Sequence, residues 1–295
     1  MSENPAAANP AEMTPAGETP VAAPSQPFVL TPDNYYSDTA NLLYLSNSLF
    51  KAVYGCPADP YPCEAKALLG PREETEALIV GGYVDAAFES DQALKDYIEN
   101  NKEKLMLKSG KGFYQFVKDA DKAIARAKID PVFMSYLDGQ HQAVMTGEIA
   151  GQPFKIKMDD YKPGERITDL KYIKSAAEAY CEPLRKRVTF VEAYGYAIQG
   201  AIYQEIEAQT SHQRLPFYIA YITKEDPADI GVVQIPQELL DEALEFVKLS
   251  LAARPMADVR KAPKSCNRRS CTWCRGQKSL SGAMGWEDFV NYSQT

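Results

Sequence analysis

The chain has 295 residues, 45% of them hydrophobic and 24% charged, enough apolar content for one large core or two small ones. A net charge of −8 argues against a broad non-specific coat on nucleic acid, although a cleft can carry a local charge of its own. No run of about 18 apolar residues could span a bilayer, and the N-terminus lacks the basic start and apolar stretch of a secretion signal, so a cytoplasmic protein is expected.

Residues 1–28 are Pro/Ala-rich, carry only negative charge and show no periodicity; a disordered tail is expected there. The stretch "NLLYLSNSLFKAVYG" reads as a helix, with Ser46 or Ser48 placed to cap its second part and Gly55-Cys56-Pro57 to end it. "REETEALIVGGYVDAAFES" suggests a second helix, weakened by Gly81-Gly82, and "GFYQFVKDADKAIARAKI" a third. From Ala143 the period changes to two, giving "AVMTGEI", a turn, "PFKIKMD", the loop "DYKPGE" and "RITDLKYI", an antiparallel meander. One long helix, "TFVEAYGYAIQGAIYQEIEAQ", the strands "PFYIAYIT" and "IGVVQIP" and the helix "PQELLDEALEFVKLSLAA" follow. The order predicts an α/β fold with a mixed central sheet flanked by helices and a helical N-terminal part: one domain over residues 29–280, then a tail over 281–295.

Alternate strand residues share a face, so Ile167, Asp169 and Lys171 emerge together. On the preceding strand Phe154, Ile156 and Met158 form an apolar face and leave Lys155, Lys157 and Asp159 on the polar one. A tight reversal brings Asp159 beside Asp169. Two carboxylates and a lysine at strand ends suit Mg²⁺-assisted phosphodiester hydrolysis, with hard oxygen ligands and a compact point charge to orient water. The triplet alone is common: Glu64-Ala65-Lys66 and Asp160-Tyr161-Lys162 have the same form, and an exposed ion pair is the plain alternative. Only Asp169 and Lys171 lie within a predicted strand that follows another acid-ended strand.

"KMDDYKPGERITDLK" resembles the core of the PD-(D/E)xK (restriction-endonuclease-like) nuclease superfamily. Within it the chain is similar to the phage and prophage exonuclease VIII (RecE-like) group, through "YLSNSLFK", "GGYVDAAFE", "MTGEIAGQPFKIKMD", "ITDLK", "YAIQGAIYQE" and "LPFYIAYITKE" in that order. The resemblance implies metal-binding roles for Asp159 and Asp169, a catalytic role for Lys171, and a Gln-x-x-x-Tyr motif at Gln199 and Tyr203. At i, i+4 these two share a helix face and could reach the scissile strand or metal waters; a helix-surface hydrogen bond is the plain reading. Asp85 stands where RecE-like enzymes usually present a histidine, and serves as a third metal ligand or yields that place to Glu89 one turn on. Glu148, on the first strand, either assists behind the ligands or is an exposed strand residue. His141 and His212 fall outside the motifs and are expected in solvent. There is no Ser/His/Asp or Cys/His motif and no Walker-type loop.

The implied activity is a Mg²⁺- or Mn²⁺-dependent exonuclease acting at double-stranded DNA ends for recombination, in a bacterial or phage-infected cell. A single-strand annealing partner and a homo-oligomeric ring around DNA are implied with it. Two alternatives remain: a catalytically altered DNA- or protein-binding scaffold, and a nuclease for RNA or branched DNA.

Residues 254–278 hold eight Lys/Arg, one Asp and the run Cys266-x4-Cys271-x2-Cys274, too dense for chance among six cysteines; in a cytosolic setting this reads as a metal site. A fourth thiolate must come from upstream. Some PD-(D/E)xK nucleases pin their C-terminus to an N-terminal cysteine through a 4Fe-4S cluster, and "SNSLFKAVYGCP" fits Cys56 to that place, with Cys63 as competitor. Four thiolates also suit structural zinc.

Overall fold

The computed structural model describes residues 28–57, 59–71, 74–280, 282–283 and 285–287. The expected N-terminal tail lies outside them except for Phe28, as does most of the C-terminal one. The N-terminal part is helical: α1 Asp38–Leu43, α2 Asn47–Tyr54, α3 Glu64–Leu69, α4 Glu76–Glu89, α5 Asp91–Asn100, α6 Lys102–Leu105, α7 Gln115–Lys128 and α8 Pro131–Ser135. The expected first helix is two, because Ser46 leaves helical geometry and its hydroxyl accepts the Leu49 N–H, capping α2 at 3.3 Å. Helix α4 runs through Gly81-Gly82 unbroken.

The meander follows as β1 Gln140–Ile149, β2 Gln152–Lys162 and β3 Arg166–Ile173. Strand β2 is longer than its period suggested, and the reversal falls at residues 163–165 rather than directly after Asp159. A small hairpin, β4 Ala179–Cys181 and β5 Lys186–Val188, was not foreseen; three-residue strands are too short to show an alternation. The long helix is also two, α9 Phe190–Ala193 and α10 Tyr196–Ser211. Thr189 and Glu192 close a capping box on α9, and Gly195, in the left-handed region at φ 60°, turns the chain into α10. Strands β6 Phe217–Thr223 and β7 Ile230–Gln234 precede α11 Gln237–Ala253, α12 Met256–Lys261 and α13 Thr272–Gly276.

The sheet order is β1-β2-β3-β6-β7, with β3 and β6 parallel and the other neighbours antiparallel. A parallel pair needs a crossover, which α9 and α10 supply. One face of the sheet, with Phe154, Ile156, Ile167, Phe217 and Ile219, packs on α10 and α11; the other, with Leu170, Ala220 and Ile222, packs on α4 and α7. Among the described residues no helix is long and apolar enough to cross a membrane.

Helix α10 lies tight on the sheet at Gly200, where an added Cβ would stand 2.5 Å from Phe217 Cδ1 and 2.8 Å from Leu240 Cδ2. Gly200→Val is expected to destabilise the fold by about 1–3 kcal/mol through overpacking. A denaturant midpoint equal to wild type would refute that packing.

Candidate active site

The site begins with an irregularity in β2. Met158 and Tyr161 reach the same core although three residues apart, so strict alternation fails between them, at Asp159 and Asp160. Opposite, β1 pairs His141 with Asp160 and Ala143 with Met158 but skips the rung between, and Gln142 there has φ 54°. Breaks of this kind re-aim side chains beside functional sites. The β2–β3 ladder ends at Asp160–Thr168, and beyond it the strands part. Just past the last rung, the Leu170 N–H donates to Asp159 Oδ2 at 2.9 Å. Further along β2, the Lys157 carbonyl accepts the Tyr203 hydroxyl at 2.9 Å, and Leu45 bridges Phe154.

Asp159 and Asp169 meet in this wedge, their carboxyls within hydrogen-bonding reach. Asp169 is 1% exposed; Lys171 Nζ contacts its Oδ2 and Gln199 Nε2 donates to its Oδ1. Burial, only partly offset by Lys171 and reinforced by Asp159, pushes the Asp169 carboxyl up to about 7. Asp85 comes in from α4, and burial with the Asp159 charge raises its carboxyl well above the usual range, against the opposing pull of Lys171. Burial pulls Lys171 down, but Asp169, Asp159 and Tyr196 outweigh it and hold the ammonium above its ordinary value. Lys171 is therefore a fixed cation and a hydrogen-bond donor. The Asp159 charge raises both Asp85 and Asp169, the single Lys171 ammonium only partly offsets it, and hard carboxylate oxygens suit a divalent ion such as Mg²⁺ or Mn²⁺.

The structure brings together Asp85, Asp159, Asp169, Lys171, Gln199 and Tyr203. The last two work inward: Gln199 orients the Asp169 carboxylate and Tyr203, 7% exposed, pins β2 two residues from Asp159. The two side chains also adjoin each other, as the i, i+4 spacing suggested, but the bonds to Asp169 and to the Lys157 carbonyl tie them to the sheet. Glu89 is exposed and lines a small pocket with Asp85, Asp159 and His141. His141 is thus no solvent residue: it is half-buried, with Nδ1 3.7 Å from Asp160 Oδ2. His212 caps α10 in solvent, as expected. Glu148 drops out. Its partner on β2 is Pro153, six residues from Asp159 or about 20 Å along the strand, so antiparallel register carries it to the far end of the hairpin.

Sequence reasoning missed Lys51 and Tyr196. The ring of Tyr196 lies 5.6 Å from Lys51 Nζ and 5.5 Å from Lys171 Nζ, and Lys51 also donates to the Tyr194 carbonyl at 3.0 Å. Burial, together with the nearby Lys171, lowers Lys51 from its ordinary value despite Cys56 and Asp169. Its position in "SNSLFK", a stretch already singled out, was the available signal. Lys157 lies 4.8 Å from the ring of Tyr36, which is 64% exposed at the rim.

A second centre lies apart. The Sγ atoms of Cys63, Cys266, Cys271 and Cys274 are all within 4.8 Å of one another, and among the described residues this is the one such group of three or more potential ligands. This corrects the assignment of Cys56. Both backbone groups of Cys56 close a tight turn with Asp59, at 3.1 and 3.0 Å, and its side chain packs toward Gly195. Cys63 instead opens α3, whose start is stitched to the tail. Glu64 accepts from Arg254 at 2.8 and 2.9 Å and from the Lys264 N–H at 2.8 Å, and the Ala65 N–H donates to the Lys264 carbonyl at 3.1 Å. The quartet could hold a metal ion.

Residues 46–277 match the family model described as a PDDEXK-like domain of unknown function (DUF3799). The crystal structure of a "Putative exonuclease" from Eubacterium rectale superposes with a TM-score of 0.81 at 35% identity, over 89% of this chain and 98% of that one. The crystal structure of SSO0001 reaches a TM-score of 0.27 at 11% identity, over 68% of this chain and 84% of that one, too low to show a common fold. No curated protein is significantly similar.

The raised carboxyl of Asp85 fixes a sign. An acid whose folded value lies above its unfolded one binds protons more readily when folded, so its contribution to stability is lost as pH rises above the ordinary carboxylate value. In chelator at pH 8, Asp85→Asn is expected to melt above wild type, with the difference shrinking toward pH 4 and on addition of Mn²⁺. A variant that melts lower in chelator at pH 8 would show that Asp85 is not under this repulsion.

Proposed function

Because the chain belongs to the PDDEXK-like family, within the PD-(D/E)xK nuclease superfamily, we propose that it is a metal-dependent DNA exonuclease of the RecE-like type. In this reading it hydrolyses phosphodiester bonds from duplex ends and leaves single strands for recombination. The observation that supports it is the wedge between β2 and β3, where Asp159, Asp169 and the fixed Lys171 ammonium converge. Asp159 and Asp169 would hold the divalent ion, with Asp85, whose carboxyl does not form a group within 4.8 Å with the other two, and Glu89 further out. When bound, that ion would supply Lewis-acid polarisation of the phosphate and offset the charge developing on it.

The protein's own groups do the rest. Lys171, held charged, orients the attacking water by donation and places a positive charge beside the phosphate. Gln199 keeps the Asp169 carboxylate in one orientation, and Tyr203 holds the β2 backbone so that Asp159 stays opposite it. Lys51, fixed on the Tyr196 face, contacts the strand's phosphates, and the exposed rings of Tyr36 and Tyr194 offer stacking surfaces at the rim. A local set of cations, Lys51, Lys157 and Lys171, thus accounts for nucleic-acid binding by a chain of net charge −8. A single-strand annealing protein as partner and a ring around DNA belong to the same reading.

End-labelled linear duplex and closed circular DNA, incubated with Mg²⁺ or chelator, test it. Linear DNA alone should be degraded, with loss in chelator and a drop of about 100- to 1,000-fold in Lys171→Ala and Asp169→Ala. No cleavage by folded wild type with Mg²⁺ or Mn²⁺ would leave a binding scaffold, and cleavage of circles would exclude end dependence. Lys51→Met is expected to weaken DNA binding and lower the salt slope of the affinity by about 1. An unchanged slope would remove Lys51 from the phosphate contacts.

A further inference from the structure

We propose that Cys63, Cys266, Cys271 and Cys274 hold a single tetrahedral zinc ion, not an iron–sulfur cluster, and that this ion clamps the C-terminal tail to the start of α3. The inference rests on the reading of the quartet as a metal site and names its occupant.

Spacing carries the argument. A metal–sulfur distance of about 2.3 Å sets the corners of a tetrahedron about 3.8 Å apart. Cys274 Sγ lies 3.6 Å from Cys63 Sγ and 3.8 Å from Cys266 Sγ, and no pair in the quartet exceeds 4.8 Å. A four-iron cubane binds each thiolate through its own iron on the outside of the cube, which requires sulfurs much further apart. The four thiolates surround a space for one ion and have no room between them for four irons and four sulfides.

The backbone around the quartet fits the same occupant. The backbone N–H groups of Arg268 and Asn267 lie beside Cys266 Sγ and Cys274 Sγ. Asn267 reaches the left-handed region at φ 55° to make this knuckle, a conformation that asparagine tolerates better than most residues. Four thiolates with one zinc carry a net charge of −2, and Arg268, in contact with Cys266, and Lys66, lining a cleft with Cys63 and Cys271, lie beside it. The basic run of residues 254–278 thereby gains a structural reason. Four protein ligands leave no open coordination position, so the site is structural. It ties residues 211 apart in the chain, Cys63 and Cys274, at a point where Glu64, Arg254 and Lys264 have already brought the two segments together.

The test is the metal content of the full-length protein purified anaerobically from cells supplied with both iron and zinc. Stoichiometric zinc, no acid-labile sulfide and a colourless protein are expected. Replacement by Co²⁺ should give the absorption of a tetrahedral cobalt thiolate, abolished in Cys63→Ser and retained in Cys56→Ser. Hydrogen exchange should show protection of residues 264–277 lost on chelation. Brown protein with iron and sulfide in equal amounts would overturn zinc while leaving the quartet a metal site. Reduced protein that takes up neither metal would overturn the metal reading itself, and the two failures are thus distinct. Should Cys63→Ser not fold, the wild-type analysis decides the ion alone, and loss of metal in folded Cys56→Ser would refute the ligand set.

Discussion

Beyond the Asp160–Thr168 rung, strands β2 and β3 part, and the backbone groups of both must find other partners or remain unpaired in a buried place. They are taken one after another. The Asp159 carboxylate spans the opening to the Leu170 N–H, the Tyr203 hydroxyl reaches the Lys157 carbonyl, and Leu45 closes the far end on Pro153 and Lys155. The same parting that costs the ladder its hydrogen bonds leaves a cleft with two aspartates on its walls. Helices α10 and α2 are fixed by this need as much as by the core, and through them so are Gln199 and Lys51.

Electrostatics follows from that geometry. Burial and proximity make the three carboxylates unfavourable neighbours, while Lys171 lowers the cost without removing it. Such a cluster is costly for stability alone and retains a charge deficit that suits a divalent cation. Lys155 shows the contrasting solution nearby: it is 1% exposed, with its ammonium taken by the Tyr35 carbonyl and Asn41 Oδ1. One buried charge is fully provided for and holds the N-terminal segment, whereas the other cluster is left poised.

The C-terminal tail makes a second long-range closure, independent of the sheet. The Arg254–Glu64 pair, the Lys264 backbone bonds and the Tyr54 hydroxyl on the Arg254 carbonyl at 2.9 Å hold the tail on α2 and α3. Since α2 also carries Lys51, the same short helix meets both the surroundings of the acidic wedge and the cysteine-bearing tail.

Much of this was legible in the sequence, because periodicity is local. Period two placed Asp169 and Lys171 on one face of β3, helical spacing placed Gln199 and Tyr203 on one side of α10, and the density of cysteines marked a group that could hold a metal. The tertiary structure decided what local period cannot carry. The break of alternation at Asp159 depends on the strand opposite, the separation of Glu148 on antiparallel register, and the roles of Gln199 and Tyr203 on what stands across from them. The preference for Cys63 over Cys56 came from a side chain one residue away: Glu64 captures Arg254 and Lys264, and only chain closure over some two hundred residues brings them together.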